Sequence, residues 1–262
     1  MGQPRNYQTD AIIIKKTKLG EADRIITLYT PHLGKIQAVA KGVRRPKSKM
    51  AGHLELLTCS RVVLARGRNL DTVTGAQTIN SFILLKNDLN LASYGLYMAE
   101  LTCQFTPEDQ ENLEIFELLR GTMERLCEEN NKDIILRHFE MQLLNASGFR
   151  PQLQQCVRCR QPLQPVVNYF SHSGGGMFCP SCSTDQYGLY SLSVNALKVL
   201  RLLQNGDLDT TLKLKISPEL SFEMEEVLRR YIRYILEKEV KSVAWLDNLK
   251  TIPPATTQNT KS

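Results

Sequence analysis

Two hydrophobic periods divide the chain. From Thr9 to Ile79 the apolar positions fall in short runs rich in β-branched and aromatic side chains: AIIIKK, RIITLYT, KIQAVAKGV, LELLTCSRVVLA and LDTVTGAQTI. Gly, Pro, Asn and Asp cluster between them, as in LGEAD and TPHLGK, and such punctuation marks strands joined by turns. Ile36, Ala38 and Ala40 alternate with Lys35, Gln37 and Lys41, the two-residue period of a half-buried strand. Five strands in so short a span predict a small closed barrel. An OB-fold, which commonly binds oligonucleotides, fits this pattern, and an SH3-like barrel fits it nearly as well.

After Phe82 the period lengthens to three or four residues. Leu91, Tyr94, Met98 and Leu101 predict one helix, and Pro107, followed by acidic residues in PEDQE, is expected to open the next. That second helix carries Leu113, Phe116, Leu119, Met123 and Leu126. Ile135, Phe139 and Leu143 predict a third, with Gly148 as its C-terminal cap. Further on, one helix is predicted from Ser193 to Gln204. Another covers SPELSFEMEEVLRRYIRYILEKEVKS, with Phe222, Val227, Tyr231 and Ile235 on one face. These stripes are read as a helical core, and the carboxylates Glu225 and Glu226 as its solvated side. The closing PPATTQNTKS has no apolar anchor, so residues 249–262 are expected to be a disordered tail. No internal repeat is visible.

Charge sharpens the division. The chain of 262 residues is 42% hydrophobic and 23% charged, an ordinary globular composition, with a net charge of +6. Residues 1–80 hold 14 Lys and Arg against 5 Asp and Glu, while the remainder is slightly acidic. The positive field therefore sits on the predicted barrel. It is densest in AKGVRRPKSKMAG, residues 40–52, where Lys41, Arg44, Arg45, Lys47 and Lys49 flank a single Pro. With Arg24 and Lys35 they form a candidate phosphate-binding set, because basic side chains on a loop can track the backbone of either strand state. A solvated charge run, or a dock for an acidic protein, is the competing reading. The N-terminal MGQPRNYQTD has no apolar signal region, Asn6 stands where a myristoylation signal takes Ser or Thr, and no apolar run reaches the ~18 residues of a membrane span. An intracellular protein with reduced thiols is expected.

Seven cysteines occur. Cys59, Cys103 and Cys127 are isolated in strand or helix patterns and are read as small buried apolar residues. The others form CVRC (Cys156, Cys159) and CPSC (Cys179, Cys182), a C-x2-C-x19-C-x2-C arrangement within the range of zinc ribbons. A two-residue gap lets two thiolates of one tight turn face one ion, and two such turns complete a tetrahedral sulfur shell. One structural Zn2+ is expected, since four thiolates leave no open position for water. A redox dithiol does not account for two copies at ribbon spacing. A zinc deaminase would need a His-x-Glu and a Pro before the Cys pair, and Pro180 follows Cys179 instead. His172 is read as a surface turn residue, and SGGG (173–176) as the ribbon turn. No phosphate-binding loop, dinucleotide fingerprint or nucleophile elbow is present, so no enzyme is expected.

In this order, four stretches resemble the RecO family of bacterial recombination-mediator proteins: AIIIKKTKLGEADRIITLYTPHLGKIQAVAKGVRRPKSK, FEMQLLNASGFRPQLQQCVRC, FCPSC and KSVAWL. The resemblance implies a multidomain α+β chain. Its parts are an N-terminal OB-fold β-barrel (1–80), an α-helical domain (81–152 and 191–248) and an inserted four-cysteine zinc-ribbon-like module (153–190). It also implies single- and double-stranded DNA as ligands, strand annealing, and help in loading recombinase onto DNA covered by single-strand-binding protein. The implied partners are the RecR clamp, the acidic C-terminal tail of single-strand-binding protein and, indirectly, the RecA recombinase. The implied location is the cytoplasm, at the nucleoid. For the acidic tail, a groove rimmed by Arg120, Arg125 or Arg137 is expected. The competing expectation is that these arginines pair with Glu117, Glu124 or Glu140 on their own helices.

Overall fold

The computed structural model describes residues 5–206 and 208–250. The predicted β region forms five strands: β1 (Asn6–Leu19), β2 (Asp23–Thr30), β3 (Gly34–Ala40), β4 (Cys59–Ala65) and β5 (Asp71–Asn80). They close into a barrel in the order β1-β2-β3-β5-β4, with β1 pairing back onto β4. All contacts are antiparallel except the short β3–β5 pairing at Ala38–Asp71 and Val39–Thr72. This is an OB-type barrel. LELLTCSRVVLA is not one strand, because Leu57 takes a positive φ of 57° that breaks its first half away from β4.

The run AIII is apolar throughout because β1 is covered on both sides. Ala11 and Ile13 point into the barrel with Ile26, Leu28, Ala38, Val62, Leu64 and Val73. Ile12 and Ile14 point outward into the core of the helices. A bulge between Ile13 and Lys15 then shifts the alternation, so that Lys16 opposes the inward-facing Ile26 and Lys18 opposes Arg24.

Helices α1 (Ile83–Asn87), α2 (Leu89–Phe105), α3 (Leu113–Glu128) and α4 (Lys132–Ala146) follow. After the cysteine region come α6 (Val194–Gln204), α7 (Leu208–Leu212), α8 (Pro218–Leu236) and α9 (Lys241–Lys250), α5 (Pro180–Ser183) being a single turn within that region. The long helices start where a side-chain oxygen takes an otherwise unpaired amide: Asp88, Asn112, Asn131, Ser193 and Ser217 each accept from the third residue on. Asn112, not Pro107, therefore opens α3, and residues 107–111 run along the barrel, where the Asp109 amide donates to the Lys35 carbonyl. Gly148 caps α4 as expected, at φ 83°. Helix α4 is central, packing on α3, α6 and α8, and α9 lies along α2. Phe222 departs from the expected stripe of α8 and is exposed. No described helix is long and apolar enough to cross a membrane. The expected tail lies mainly outside the described residues, and α9 runs on to Lys250.

Between α4 and α6, β6 (Asn168–Ser171), β7 (Gly176–Phe178) and β8 (Leu189–Leu192) form a small antiparallel sheet in the order β7-β6-β8. Phe170 and Met177 of this sheet join the helical core, so the module is packed against the helices rather than tethered to them.

Candidate nucleic-acid interface and metal centre

The basic segment leaves β3 at one end of the barrel. Its backbone is tied down: Gly42, at φ 63°, donates its amide to Asp23 Oδ1 at 2.7 Å, and the Arg44 amide donates to the Ala22 carbonyl at 2.9 Å. Val43 and Leu54 are buried in the barrel, pinning the segment at two points. Lys41, just before the first anchor, and Arg44, Arg45, Lys47 and Lys49, between the two, are exposed. Among the described residues none of the five makes an ion pair, and Arg44 donates only to the Gly20 carbonyl.

Two lysines not singled out from the sequence, Lys16 and Lys18, stand beside this segment. The β1 bulge turns both to the inner face, at the mouth of the barrel. Lys18 stands directly opposite Arg24, and Lys16, Arg24 and Arg44 share a cleft with Glu55. Lys16 pairs with Glu55 at 2.6 Å, which leaves Lys18 and Arg24 facing each other without a carboxylate among the described ion pairs. Like charges in a cross-strand pair are destabilising, so the Lys18–Arg24 pair does not itself stabilise the barrel. The signal lay in KKTK, but only the bulge decides which of its lysines turn inward. Lys35 is placed differently. At the far end of β3, its ammonium donates to the carbonyls of Cys103 at 2.7 Å and Thr106 at 2.5 Å, capping the C-terminus of α2.

The three arginines expected at a docking groove are paired within the chain. Arg120 binds Glu117 at 2.5 Å and Glu124 at 3.2 Å, as in the competing expectation. Arg125 reaches Asp209 of α7 at 2.7 Å. Arg137 is not on the surface: it is 1% exposed and donates to the fully buried Glu140 at 2.8 Å. Glu225, expected on a solvated face, is also buried, 3.8 Å from Arg137 and 2.6 Å from Arg229.

The four cysteines converge. The Sγ atoms of Cys156, Cys159, Cys179 and Cys182 all lie within 4.8 Å of one another, and Cys159 and Cys179 are 3.9 Å apart. A tetrahedral site with bonds of about 2.3 Å has edges of about 3.8 Å, so the set fits a metal ion. Local backbone shapes it. Arg160, at φ 60°, donates its amide to the Cys156 carbonyl at 2.9 Å, and Cys179 opens the turn of α5 with Pro180 in its first position. Burial raises the Cys156 thiol, but amides of Cys159, Cys179 and Arg158 outweigh that and hold it down at about 6, a cradle for a thiolate. Two of the glycines of SGGG have local reasons: Gly175 sits at φ 61°, and a Cβ on Gly176 would stand 2.7 Å from the Gln152 carbonyl oxygen. His172 lies in that turn but is half-buried, edge-on to Phe170 and Tyr190, and burial beside Arg230 and Arg233 pushes its imidazole down to about 4. Of the isolated cysteines Cys59 is buried, whereas Cys103 and Cys127 are only partly so.

Comparison with known proteins gives the same two-part division. The family described as "Recombination protein O N terminal" matches residues 3–82, and "Recombination protein O C terminal" matches residues 86–244. The chain belongs to the RecO family. It is 46% identical over 250 residues to the DNA repair protein RecO of Dehalococcoides mccartyi strain CBDB1, covering 95% of this chain and 98% of that one. To the RecO of Roseiflexus sp. strain RS-1 it is 41% identical over 255 residues, 96% and 90% of the two chains. To that of Desulforamulus reducens it is 33% identical over 243 residues, 93% and 94%. RecO membership places its role in DNA repair and recombination.

Proposed function

We propose that the chain is a non-enzymatic recombination mediator that binds single- and double-stranded DNA at the basic mouth of its barrel. It anneals complementary strands and assists loading of the RecA recombinase onto DNA covered by single-strand-binding protein, with RecR and the acidic tail of that protein as partners. It acts in the cytoplasm, at the nucleoid. Zn2+ in the four-thiolate site is structural, holding the inserted module in shape. The observation that carries the DNA reading is the concentration, at one end of the barrel, of cations without acidic partners among the described residues. Lys18 and Arg24 occupy the rim, and Lys41, Arg44, Arg45, Lys47 and Lys49 stand on a segment whose backbone is fixed. Phosphate contacts of this kind release counterions and give sequence-independent affinity.

The test replaces Arg44, Arg45, Lys47 and Lys49 together by Ala, leaving Val43 and Gly42 in place. Affinity for single-stranded DNA falls equally across sequences, and the log–log salt slope flattens by up to about 0.7 per phosphate contact removed. Lys213→Ala with Lys215→Ala, both exposed and outside the barrel, changes little. Wild-type affinity and slope in the loop variant, together with loss of an acidic protein partner, would replace the DNA reading by that of a protein-docking scaffold.

A further inference from the structure

Barrels that bind single strands usually combine cations with aromatic rings on which bases stack. This barrel has the cations without the rings. The segments that build the mouth, residues 15–26 and 40–54, contain no Phe, Tyr or Trp. Residues 1–80 hold only two Phe, Tyr or Trp side chains, Tyr7 and Tyr29, and the one imidazole of these segments, His53, is half-buried with its Nδ1 held by the Thr78 hydroxyl and amide. Tyr29 is fully buried, with its hydroxyl 3.4 Å from the Asn112 carbonyl. Tyr7 stands at the other end of β1 from Lys18, about 35 Å along an extended strand. Its ring is covered by the Arg66 guanidinium at 4.8 Å and its hydroxyl donates to Asp71 at 2.5 Å. The exposed aromatics of the described chain, Phe149, Tyr187, Phe222, Tyr234 and Trp245, all belong to the helices or the cysteine module.

We infer that the mouth recognises the sugar–phosphate backbone alone and leaves the bases of a bound strand unstacked by protein and turned to solvent. The inference rests on the DNA reading and specifies how that site holds its ligand. Two consequences follow from chemistry. A site that reads only phosphate accepts single and double strands alike, because both present the same charged backbone. A strand held by its phosphates also keeps its pairing edges open to a complement, whereas a strand stacked on aromatic rings must be peeled off before it can pair. The absence of aromatics thus makes the same surface competent both to capture a strand and to let it anneal.

The experiment compares the full chain binding to an ordinary oligodeoxynucleotide and to a base-free deoxyribose-phosphate oligomer of equal length and charge. A second ordinary strand carries a stacking-sensitive fluorescent purine. Stacking contributes about 1–3 kcal/mol per base where platforms exist, so losing even one stacked base weakens binding roughly fivefold or more. We expect the base-free oligomer to bind within about threefold of the ordinary strand with the same salt slope, and the purine emission to show no stacking on protein. A loss of about fivefold or more on base removal, with ordinary strands still bound, would overturn the inference and leave the DNA reading intact. Failure of both polymers to bind would remove the DNA reading and this inference with it.

Discussion

Replacing Arg137 by Met tests whether this side chain is a docking residue or a structural one. The guanidinium is 1% exposed and lies 2.8 Å from Glu140, which is 0% exposed and whose same oxygen accepts the Tyr97 hydroxyl at 2.7 Å. With charge centres about 4 Å apart, an effective dielectric near 20 makes the attraction about 4 kcal/mol. That agrees with the roughly 3–5 kcal/mol lost when one partner of a buried pair is removed. The variant should lose this much stability at neutral pH, measured by urea unfolding. Burial already pushes the Glu140 carboxyl above its usual range, against the opposing pull of Arg137, and losing Arg137 pushes it further up. A carboxyl raised in the folded state binds its proton more tightly than in the unfolded chain, so stability is full at low pH and falls as pH rises through the folded value. The penalty of Arg137→Met therefore shrinks on acidification toward the ordinary carboxylate range, by up to about 1.4 kcal/mol per pH unit. DNA affinity of the folded variant stays unchanged. Arg137→Met with Glu140→Gln recovers most of the loss, since both charges are removed while the Gln carbonyl still accepts the Tyr97 hydroxyl. A penalty below about 1 kcal/mol that is flat in pH would refute the buried-pair reasoning.

Three further outcomes follow. Metal analysis of freshly reduced protein gives one zinc per chain, and Cys→Ser at Cys156, Cys159, Cys179 or Cys182 lowers the unfolding midpoint, because a structural metal contributes folding energy; a zinc-free but equally stable protein would contradict this. Lys35→Ala removes charged donors from the carbonyls of Cys103 and Thr106, so it lowers stability by about 1–3 kcal/mol in urea unfolding, with no change in DNA salt slope; a flattened slope would return Lys35 to the DNA surface. Gly176→Ala drives a Cβ into Gln152 and costs about 1–3 kcal/mol, read as a lower melting temperature with weaker zinc retention; an unchanged midpoint would refute the close approach.

Much of this was legible in the sequence because it is local. Strand runs, the caps at Ser193 and Gly148, the cysteine spacing and the glycine turn each depend on neighbours a few positions away. What was not legible depends on pairing across the chain. The bulge at Ile14 has no fixed sequence mark, yet it decides that Lys16 and Lys18 face the mouth. Lys35 looked like its basic neighbours, but it lies at the α2 end of β3, and that proximity arises only when the barrel docks on the helices. Arg137 fitted a helix surface by composition. It is buried because α4 packs against α8, which supplies Glu225 and Arg229 from about ninety residues further along. Pro107 carried the usual helix-start signal, but Asn112 makes the cap and the intervening residues are held against β3 instead.

The two ends of the barrel differ in sign, and this bears on how a strand would approach. Strands β2 and β3 run between them. At one end are Lys18, Arg24 and the segment from Lys41 to Lys49; at the other the β2–β3 turn meets residues 107–111 around a cleft lined by Asp71, Glu108, Asp109 and Glu111. Glu108 accepts from Gln37, and Glu111 lies 3.2 Å from His32, so the acidic residues are fixed to the barrel rather than trailing from the helices. On the DNA reading, a phosphate backbone is drawn to the first end and disfavoured at the second, where four carboxylates outnumber Arg66. On the DNA reading, the segment joining barrel to helices does more than connect them. It places negative charge where a nonspecific binder would otherwise have a second face, and confines the strand to the mouth whose bases-outward hold leaves it free to pair.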